Sequence, residues 1–190
     1  MTPPLRYQDY ATGGLTLQPL TPDNKLQMMD IQQAMLLALP NPAWYYPSEE
    51  WEFDEWLTQH EAFGYFDGDR LAAFAVLTPA ALRHERSYAL KLGEPSENTF
   101  DFHDVMVLPA YRGRGIHTRF LQLFDDLAKA ANATAIYATV DPENGASYRN
   151  FERAGYVCVT TQPAYDGRMR RYYRSKPRVS PLEPDKGFSP

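Results

Sequence analysis

The sequence offers little to support a disulfide, a cysteine-based metal site or a membrane span. Its 190 residues include one cysteine, Cys158, which excludes an intramolecular disulfide. Because Cys158 lies in an apolar run, we expect it to be a buried structural thiol. No apolar stretch approaches the ~20 residues of a membrane-spanning helix. Residues 1–10 lack the apolar core of a secretory signal, so the expected location is cytoplasmic.

Positive net charge is also lacking. The chain has 19 Lys and Arg against 24 Asp and Glu, which gives a formal net charge of −5. That balance argues against general binding to nucleic acid or to an anionic membrane, so we expect neither as a partner. Hydrophobic residues make up 44% of the chain and charged residues 23%, a composition typical of a protein with a packed core.

The pattern of apolar residues predicts alternating strands and helices in one domain. Residues 1–13 are predicted to be an N-terminal arm, residues 14–174 a single domain, and residues 175–190 a flexible C-terminal tail. Two hairpins with Asp-Gly turns and one strand–helix–strand crossover predict an α/β (α+β) fold, with a mixed sheet of about seven strands and helices on both faces. The predicted strands are 15–20, 62–66, 70–77, 100–107, 135–140, 156–162 and 168–174, and the predicted helices begin at 21, 48, 114 and 144, with residues 80–92 as a further, ambiguous helical segment.

A basic loop with two glycines stands between a predicted strand and a predicted helix. It runs Val107-Leu108-Pro109-Ala110-Tyr111-Arg112-Gly113-Arg114-Gly115-Ile116-His117. The first amides of the helix have no intrahelical acceptor, and the positive end of the helix dipole lies among them. Gly113 and Gly115 lack a Cβ, so the backbone there can curl around a ligand. The loop therefore predicts a ligand with a diphosphate, the alternative being an ordinary solvated turn.

Two motifs in the expected order resemble the GCN5-related N-acetyltransferase (GNAT) superfamily. The first is Val107-x-Pro109-x-x-Arg112-Gly113-x-Gly115, which resembles the family's loop for the pyrophosphate of acetyl-CoA. The second is the spacing of Asn144, Ser147, Phe151 and Gly155-Tyr156. The order of predicted elements matches over roughly residues 14–174, and the C-terminal part resembles a bacterial subgroup of the family. The resemblance implies a mostly antiparallel sheet and an acetyl-CoA-dependent N-acetyltransferase without a metal.

The resemblance also implies which residues bind coenzyme A. The amides of Arg112, Gly113, Arg114, Gly115, Ile116 and His117 would hold the diphosphate. Backbone groups of Val105, Met106 and Val107 would bind the pantetheine amides, and the next strand would splay away to leave a slot for the thioester. Asn144 would reach the pantetheine arm, with Ser147 and Phe151 beside it on the same helix. His117 departs from the family's pattern, because a small residue usually stands there.

Candidate catalytic residues follow from what acetyl transfer to an amine requires. A base must accept a proton from the ammonium group. Strand alternation predicts that Asp101, His103, Val105 and Val107 share one face, whereas Asp104 points to the other. In relatives of the family, acidic residues or histidines at these strand positions act as base or proton relay. His103 is therefore the candidate base and Asp101 its partner, unless the two only solvate a strand end.

The proton for the departing thiolate has a less obvious donor. Phe151 stands where the family often has a tyrosine acid, and a phenyl ring cannot donate a proton. Ser147, one turn earlier, and its neighbour Tyr148 are the candidates to replace it, although both could be ordinary helix residues. The acceptor pocket is expected near a group of aromatic residues that could equally be core: Trp44, Tyr45, Tyr46, Trp51, Phe53 and Trp56.

Three functions remain open on the sequence alone. The first is direct acetyl transfer, in a ternary complex, to a small-molecule or peptide amine, with homodimerisation left open. The second is a CoA-binding regulatory module that does not turn over, which Phe151 favours. The third is a nucleotide-phosphate site, which is disfavoured because no Lys-Ser or Lys-Thr follows the glycines as it does in a P-loop.

Overall fold

The protein folds around one seven-stranded sheet. The structure, a computed structural model, describes residues 6–165 and 167–175, without the side chains of residues 83–85. The predicted C-terminal tail therefore falls, except for Ser175, outside the described residues. In chain order the strands are β1 (Thr16–Pro19), β2 (Ala62–Asp67), β3 (Arg70–Pro79), β4 (Thr99–Val107), β5 (Ala135–Val140), β6 (Val157–Ala164) and β7 (Arg168–Arg174).

The sheet is mixed and mostly antiparallel, as predicted. Its strand order is β1-β2-β3-β4-β5-β7-β6. Only β4 and β5 are parallel neighbours, and the long helix between them makes the crossover that a parallel pair requires. Both Asp-Gly hairpins form, β2 with β3 and β6 with β7, although Asp166 in the second turn is not described.

Helices cover both faces of the sheet. They are α1 (Lys25–Ala38), α2 (Glu50–Thr58), α3 (Tyr88–Lys91), α4 (Ile116–Ala130) and α5 (Gly145–Arg153). Phe120 and Phe124 of α4 pack with Phe151 of α5 in one apolar core, whereas Met28 of α1 and Phe53 of α2 belong to a second core on the opposite face. A helix buries such a stripe because its apolar residues recur about every 3.6 positions. No helix in the described part of the chain is long and apolar enough to cross a membrane.

Residues of the predicted N-terminal arm contact the sheet and α4. Tyr7–Tyr10 forms a 3-10 turn, and the buried Tyr10 donates its hydroxyl hydrogen bond to Asp126 of α4. The hydroxyl of Tyr65 in β2 donates in turn to the carbonyl oxygen of Tyr10, at 2.7 Å. The described part of the arm is therefore tied to the domain by side-chain hydrogen bonds.

Three local predictions were wrong. The second helix begins at Glu50, with Glu49 as its N-cap, and not at residue 48, because Ser48 donates its hydroxyl to a buried carboxylate on β4. Residues 80–92 do not form one helix, since a 3-10 segment at Ala80–Arg86 ends before the short α3. Cys158 is exposed rather than buried, because β6 is the edge strand of the sheet.

Candidate active site

The parallel pair β4 and β5 separates halfway along its length. Pairing runs from Thr99 with Ala135 to Phe102 with Ala138 and stops there. Beyond that point β4 pairs with β3 alone, through Val105, Met106 and Val107, and β5 pairs with β7. The outward backbone groups of β4 after Phe102 therefore face an opening instead of a neighbouring strand, and they can hydrogen-bond a ligand.

The glycine loop lies at one end of this opening. Gly113 and Gly115 have φ angles of +75° and +77°, a left-handed conformation that glycine adopts without strain. Gly115 is the N-cap of α4, so the first amides of α4 emerge next to it without intrahelical acceptors. No atom lies within 4 Å of a Cβ built on either glycine, so space for a ligand is open on both. The conformation fits a diphosphate cradle.

The two arginines of the loop point in different directions. Arg112 extends over the opening, where its Nη2 lies 3.2 Å from the sulfur of Met35 and its Nε donates to the carbonyl oxygen of Val107. Arg114 folds back over the ring of Tyr111 and donates to the carbonyl oxygen of Ala110. The structure thus places the Arg112 guanidinium at the site and leaves Arg114 to contribute its backbone amide.

A single cleft joins the loop to the splayed strands. It has a volume of about 630 Å³ and extends from the loop to α1 and the segment after it. Most of the residues predicted to bind coenzyme A line it. These are Val105, Met106, Val107, Arg112, Gly113, Gly115, Ile116, His117, Asn144, Ser147 and Phe151. Met35, Leu39, Trp44 and Tyr45 form another wall of the same cleft.

A bulge in β4 corrects the predicted alternation of its side chains. Ala75 pairs with Val105 and Leu77 pairs with Phe102, so three steps along β4 oppose two along β3. The extra residue reverses the alternation between His103 and Asp104. As a result Asp101, His103 and Asp104 all face the α1–α3 side, whereas Val105 and Val107 pack on the α4 side. The prediction that Asp101, His103, Val105 and Val107 share one face is therefore correct for Asp101 and His103 and wrong for Val105 and Val107. The prediction that Asp104 lies on the face opposite to Asp101 and His103 is also wrong.

Asp104 is buried at the wall of the cleft. Its residue exposure is 6%, and its Oδ2 accepts hydrogen bonds from the hydroxyls of Tyr45 and Ser48, both at 3.0 Å. Burial raises the pKa of Asp104 to about 7, against the lowering effect of these two hydrogen bonds. Burial, and the charge of Asp104, raise the pKa of Tyr45 far above its ordinary value, so the tyrosine stays a hydrogen-bond donor.

His103 also lines the cleft, and its ring is held from both sides. Its Nε2 lies 2.8 Å from Thr78 Oγ1 and its Nδ1 lies 3.4 Å from the hydroxyl of Tyr88. From Tyr88 the hydrogen bonds continue to the hydroxyl of Tyr165 and then to Thr139 Oγ1, at 3.1 and 2.9 Å. Thr139 lies on β5, at the other side of the cleft. A chain of hydroxyls therefore connects the two splayed strands behind His103.

Asp101 lies behind this chain and does not line the cleft. Its side chain is fully buried and accepts from the backbone N–H of Tyr88 at 3.2 Å. Burial raises the pKa of Asp101 to about 7, opposed by the Tyr88 hydrogen bond and by the charge of Lys91. Asp101 thus positions the residue that hydrogen-bonds His103, and it has no contact of its own with the cleft.

On α5 the structure separates the two candidate proton donors. Ser147 lines the cleft beside Phe151, which lies one turn later on the same face. Tyr148 points away, with the guanidinium of Arg171 4.3 Å from its ring centre. Asn144 caps the helix, since its Oδ1 accepts from the Ser147 amide, and its side-chain NH₂ remains to donate. The geometry brings Ser147 to the site and leaves Tyr148 outside it.

His117 fills space beside Phe151 without blocking the loop. Its ring contacts the rings of Phe102 and Phe151, and its Nδ1 lies 3.2 Å from Asn150 Nδ2. Burial lowers the pKa of His117 to about 4, so the ring is neutral at physiological pH. The departure from a small residue is therefore accommodated by the aromatic packing around α5.

Several residues that shape the site were not predicted to do so from the sequence. Arg170 of β7 is 3% exposed and donates to the carbonyl oxygens of Trp44 and Ala43, which ties this wall of the cleft to the sheet. Tyr88 begins the short helix α3, and Tyr165 lies in the turn between β6 and β7. Long-range contacts of this kind leave no local signal. Within the described residues, no group of three His, Cys, Asp or Glu side chains gathers to hold a metal ion.

Comparison with known proteins agrees with this geometry. The profile of the Acetyltransferase (GNAT) family matches residues 28–156, more than half of the chain. No curated protein sequence matches it. Among solved structures, an N-acetyltransferase from Staphylococcus aureus is similar at 16% identity and a TM-score of 0.65, covering 85% of this chain and 98% of its own.

Two further structures share the fold. The protein yncA from Salmonella typhimurium, solved with its cofactor acetyl-CoA, has 16% identity and a TM-score of 0.65, covering 92% of this chain and 100% of its own. A GNAT-family acetyltransferase from Listeria monocytogenes has 14% identity and a TM-score of 0.60, covering 87% of this chain and 97% of its own.

The chain belongs to the GNAT family of acetyltransferases. It is an acetyl-CoA-dependent N-acetyltransferase, which confirms the predicted enzyme class and co-substrate.

Proposed function

We propose that the enzyme transfers the acetyl group directly to an amine while donor and acceptor occupy the same cleft. The supporting observation is the continuity of that cleft, which runs from the glycine loop to the wall formed by Met35, Leu39, Trp44 and Tyr45. Both substrates can therefore be held at once, which gives the reaction the advantage of proximity. The proposed acceptor is the amine of a small molecule or a peptide.

Donor binding is assigned to the loop and to the exposed edge of β4. The amides from Arg112 to His117 bind the diphosphate, helped by the charge of Arg112, and the edge of β4 at Val105–Val107 binds the pantetheine amides. The NH₂ of Asn144 donates to the same arm. When bound, acetyl-CoA supplies an acetyl group activated as a thioester.

His103 is the proposed base. The acceptor enters as an ammonium ion, and its nitrogen must lose a proton before it can form the new C–N bond. Thr78 and Tyr88 hold both ring nitrogens of His103, so His103 takes the proton through one of these hydroxyls, which gives its own proton to the ring and receives the proton of the acceptor. Asp101 acts indirectly by holding Tyr88.

The leaving group needs little help. As the C–N bond forms, the C–S bond breaks and the sulfur leaves as a thiolate. The hydroxyl of Ser147 hydrogen-bonds this thiolate. The thiolate takes up the second proton, which the nitrogen loses as it becomes an amide, while the first proton leaves His103 for solvent. A thiol has an ordinary pKa of about 8.5, so its anion can leave without a strong acid, and Phe151 is compatible with turnover.

The proposal also covers the cellular location, the domain organisation and the oligomeric state of the enzyme. We propose a cytoplasmic enzyme with one catalytic domain over residues 14–174 and no nucleic-acid partner, supported by the net charge of −5 and by an exposed, unpaired Cys158. A homodimer would form along edge strand β6, where Val157 and Val159 are exposed.

Turnover and donor binding are tested separately. Calorimetry should detect acetyl-CoA binding, and release of free thiol with a broad panel of amines should detect transfer. Replacing His103 by Gln should lower kcat about 10²-fold or more and leave the Kd for acetyl-CoA unchanged. The matched control is His60→Asn, because His60 is exposed and has a left-handed φ of +58° that asparagine also adopts.

The outcomes separate the two functions. No acetyl-CoA binding at high micromolar concentration would contradict the proposed function entirely. Binding without thiol release for any amine would favour the regulatory CoA-binding module, which Phe151 supports. Unchanged turnover in His103→Gln would remove His103 as the base.

A further inference from the structure

Asp104 is a buried carboxylate at the acceptor end of the cleft with no assigned role in donor binding or proton transfer. The β4 bulge turns it to the same side as His103, its neighbour in the chain, and it lines the cleft while only 6% of the residue is exposed. A carboxylate is costly to bury unless it is paired or hydrogen-bonded. The burial of the Asp104 carboxylate in the wall of the cleft therefore needs a chemical reason.

The hydrogen bonds that Asp104 receives are neutral. Tyr45 and Ser48 donate their hydroxyls to the same oxygen, Oδ2. In the described part of the chain, no lysine or arginine pairs with Asp104, and its pKa is raised to about 7 by burial instead of being lowered by a cation. The carboxylate is thus oriented by two hydroxyls and lacks the positive partner that would balance its charge.

Arg168 and Arg170, which contact the backbone of the cleft wall at Tyr45 and Trp44, are occupied by the protein. Arg170 donates to Trp44 and Ala43 and lies 3.7 Å from Asp141. Arg168 donates to the carbonyl oxygen of Tyr45. The remaining wall is apolar or aromatic, formed by Met35, Leu39, Trp44 and Tyr45.

Building on the proposed acetyl transfer, we infer that Asp104 binds the ammonium group of the acceptor, and that the acceptor is a primary amine on an apolar or aromatic body with no carboxylate beside the amine. The carboxylate attracts the cation, and the apolar wall covers the attached hydrocarbon. A carboxylate next to the amine would lie close to Asp104 in a poorly solvated site, where repulsion between like charges is strong. Asp104 holds the nitrogen beside His103, which removes the proton.

The test compares two probes with the same ring and carbon spacing. 2-Phenylethylamine carries an amine alone, and L-phenylalanine carries the same amine with an adjacent carboxylate. The wild-type enzyme should acetylate 2-phenylethylamine with a kcat/KM at least tenfold higher. Asp104→Asn should raise the KM for 2-phenylethylamine about tenfold or more, since hydrogen bonds to charged groups are worth at least that factor.

Two further variants and a binding measurement show whether an effect comes from the lost charge or from a disturbed fold. Asp104→Glu keeps the charge and should keep the preference for the amine over the amino acid. Asp30→Asn, on the exposed part of α1, should behave as wild type. In every variant the Kd for acetyl-CoA should stay unchanged, and calorimetry of 2-phenylethylamine with the CoA-bound protein should give the same order of affinities as the KM values.

The measurements distinguish failure of the role given to Asp104 from failure of the proposed function. Equal use of L-phenylalanine, wild-type affinity of Asp104→Asn for 2-phenylethylamine, or no binding of 2-phenylethylamine to the CoA-bound wild type would each overturn it. Failure of acetyl-CoA itself to bind would instead overturn the proposed function.

Discussion

Single residues set the shape of the glycine loop, the proposed donor site, through their backbone conformation. Gly113 has a left-handed φ of +75°, which turns the loop so that its amides and those of α4 converge. An L-residue with a side chain adopts that region at a cost of roughly 1–2 kcal/mol. Because nothing lies within 4 Å of a Cβ built there, the cost of a substitution comes from the backbone and not from a clash.

Replacing Gly113 by Ala should therefore weaken acetyl-CoA binding at least tenfold and destabilise the fold by about 1 kcal/mol. The matched control is Gly68→Ala in the β2–β3 turn, where φ is +58° and a Cβ is equally unobstructed. The control should lose similar stability and keep the wild-type Kd for acetyl-CoA, as measured by urea unfolding and calorimetry. Equal Kd values for the two variants would contradict the assigned role of the loop.

At the scale of elements, β7 fixes one wall of the cleft, the proposed acceptor wall, to the sheet. Arg170 points inward from β7 and donates to the carbonyl oxygen of Trp44 at 2.8 Å. The segment after α1 has a 3-10 turn, Pro42–Trp44, and few other regular backbone bonds, so it depends on this contact for its position. The next residue, Arg171, points outward and contacts the ring of Tyr148 instead.

Arg170→Met should destabilise the protein by about 3 kcal/mol, because it leaves the nearly buried side chain of Asp141 and the partly buried carbonyl oxygen of Trp44 without their donor. The KM for the amine should also rise, since the wall loses its support. Arg171→Met changes the same chemistry on the opposite face of β7, where the side chain is only partly buried, and should cost less than about 1 kcal/mol. Urea unfolding and steady-state kinetics measure both effects, and equal losses in the two variants would refute the role given to Arg170.

For the molecule as a whole, two buried carboxyls make stability depend on pH. Burial raises the pKa values of Asp101 and Asp104 to about 7 from 3.8. The folded state then binds protons more tightly than the unfolded state. The stability that these protonated carboxyls contribute is complete below pH 4 and is lost as the pH rises through 7.

The free energy of unfolding of Asp104→Asn should therefore improve relative to wild type between pH 5 and pH 8. The expected relative gain is on the order of 2 kcal/mol, because asparagine has no charge to bury at the higher pH. Urea unfolding at both pH values gives the difference. For Asp30→Asn, at an exposed position, the free energy of unfolding relative to wild type should change by less than about 0.5 kcal/mol between the two pH values. If the free energy of unfolding of Asp104→Asn relative to wild type did not change with pH, the description of Asp104 as a buried carboxylate without a cationic partner would be contradicted.

Much of this fold was predictable because its signals are local. Apolar periodicity predicted seven strands and the long α4, and the Asp-Gly turns predicted both hairpins. The start of α5 near Asn144 and the glycine loop were predictable for the same reason, since a helix start or a tight turn depends on a few consecutive residues. Segment 80–92 was not, because its break before Tyr88 is stabilised by Asp101, a residue on another strand.

The sequence by itself determined the order of elements, the glycine loop and the family of acetyltransferases, because each depends on residue types at short spacing. The tertiary structure decided which side chains meet at the proposed acceptor end of the cleft. One extra residue in β4, detectable only from its pairing with β3, brought Asp104 beside His103. Tyr45, Ser48 and Tyr88 joined them from distant segments. Such contacts follow from packing the whole chain, and no local pattern encodes them.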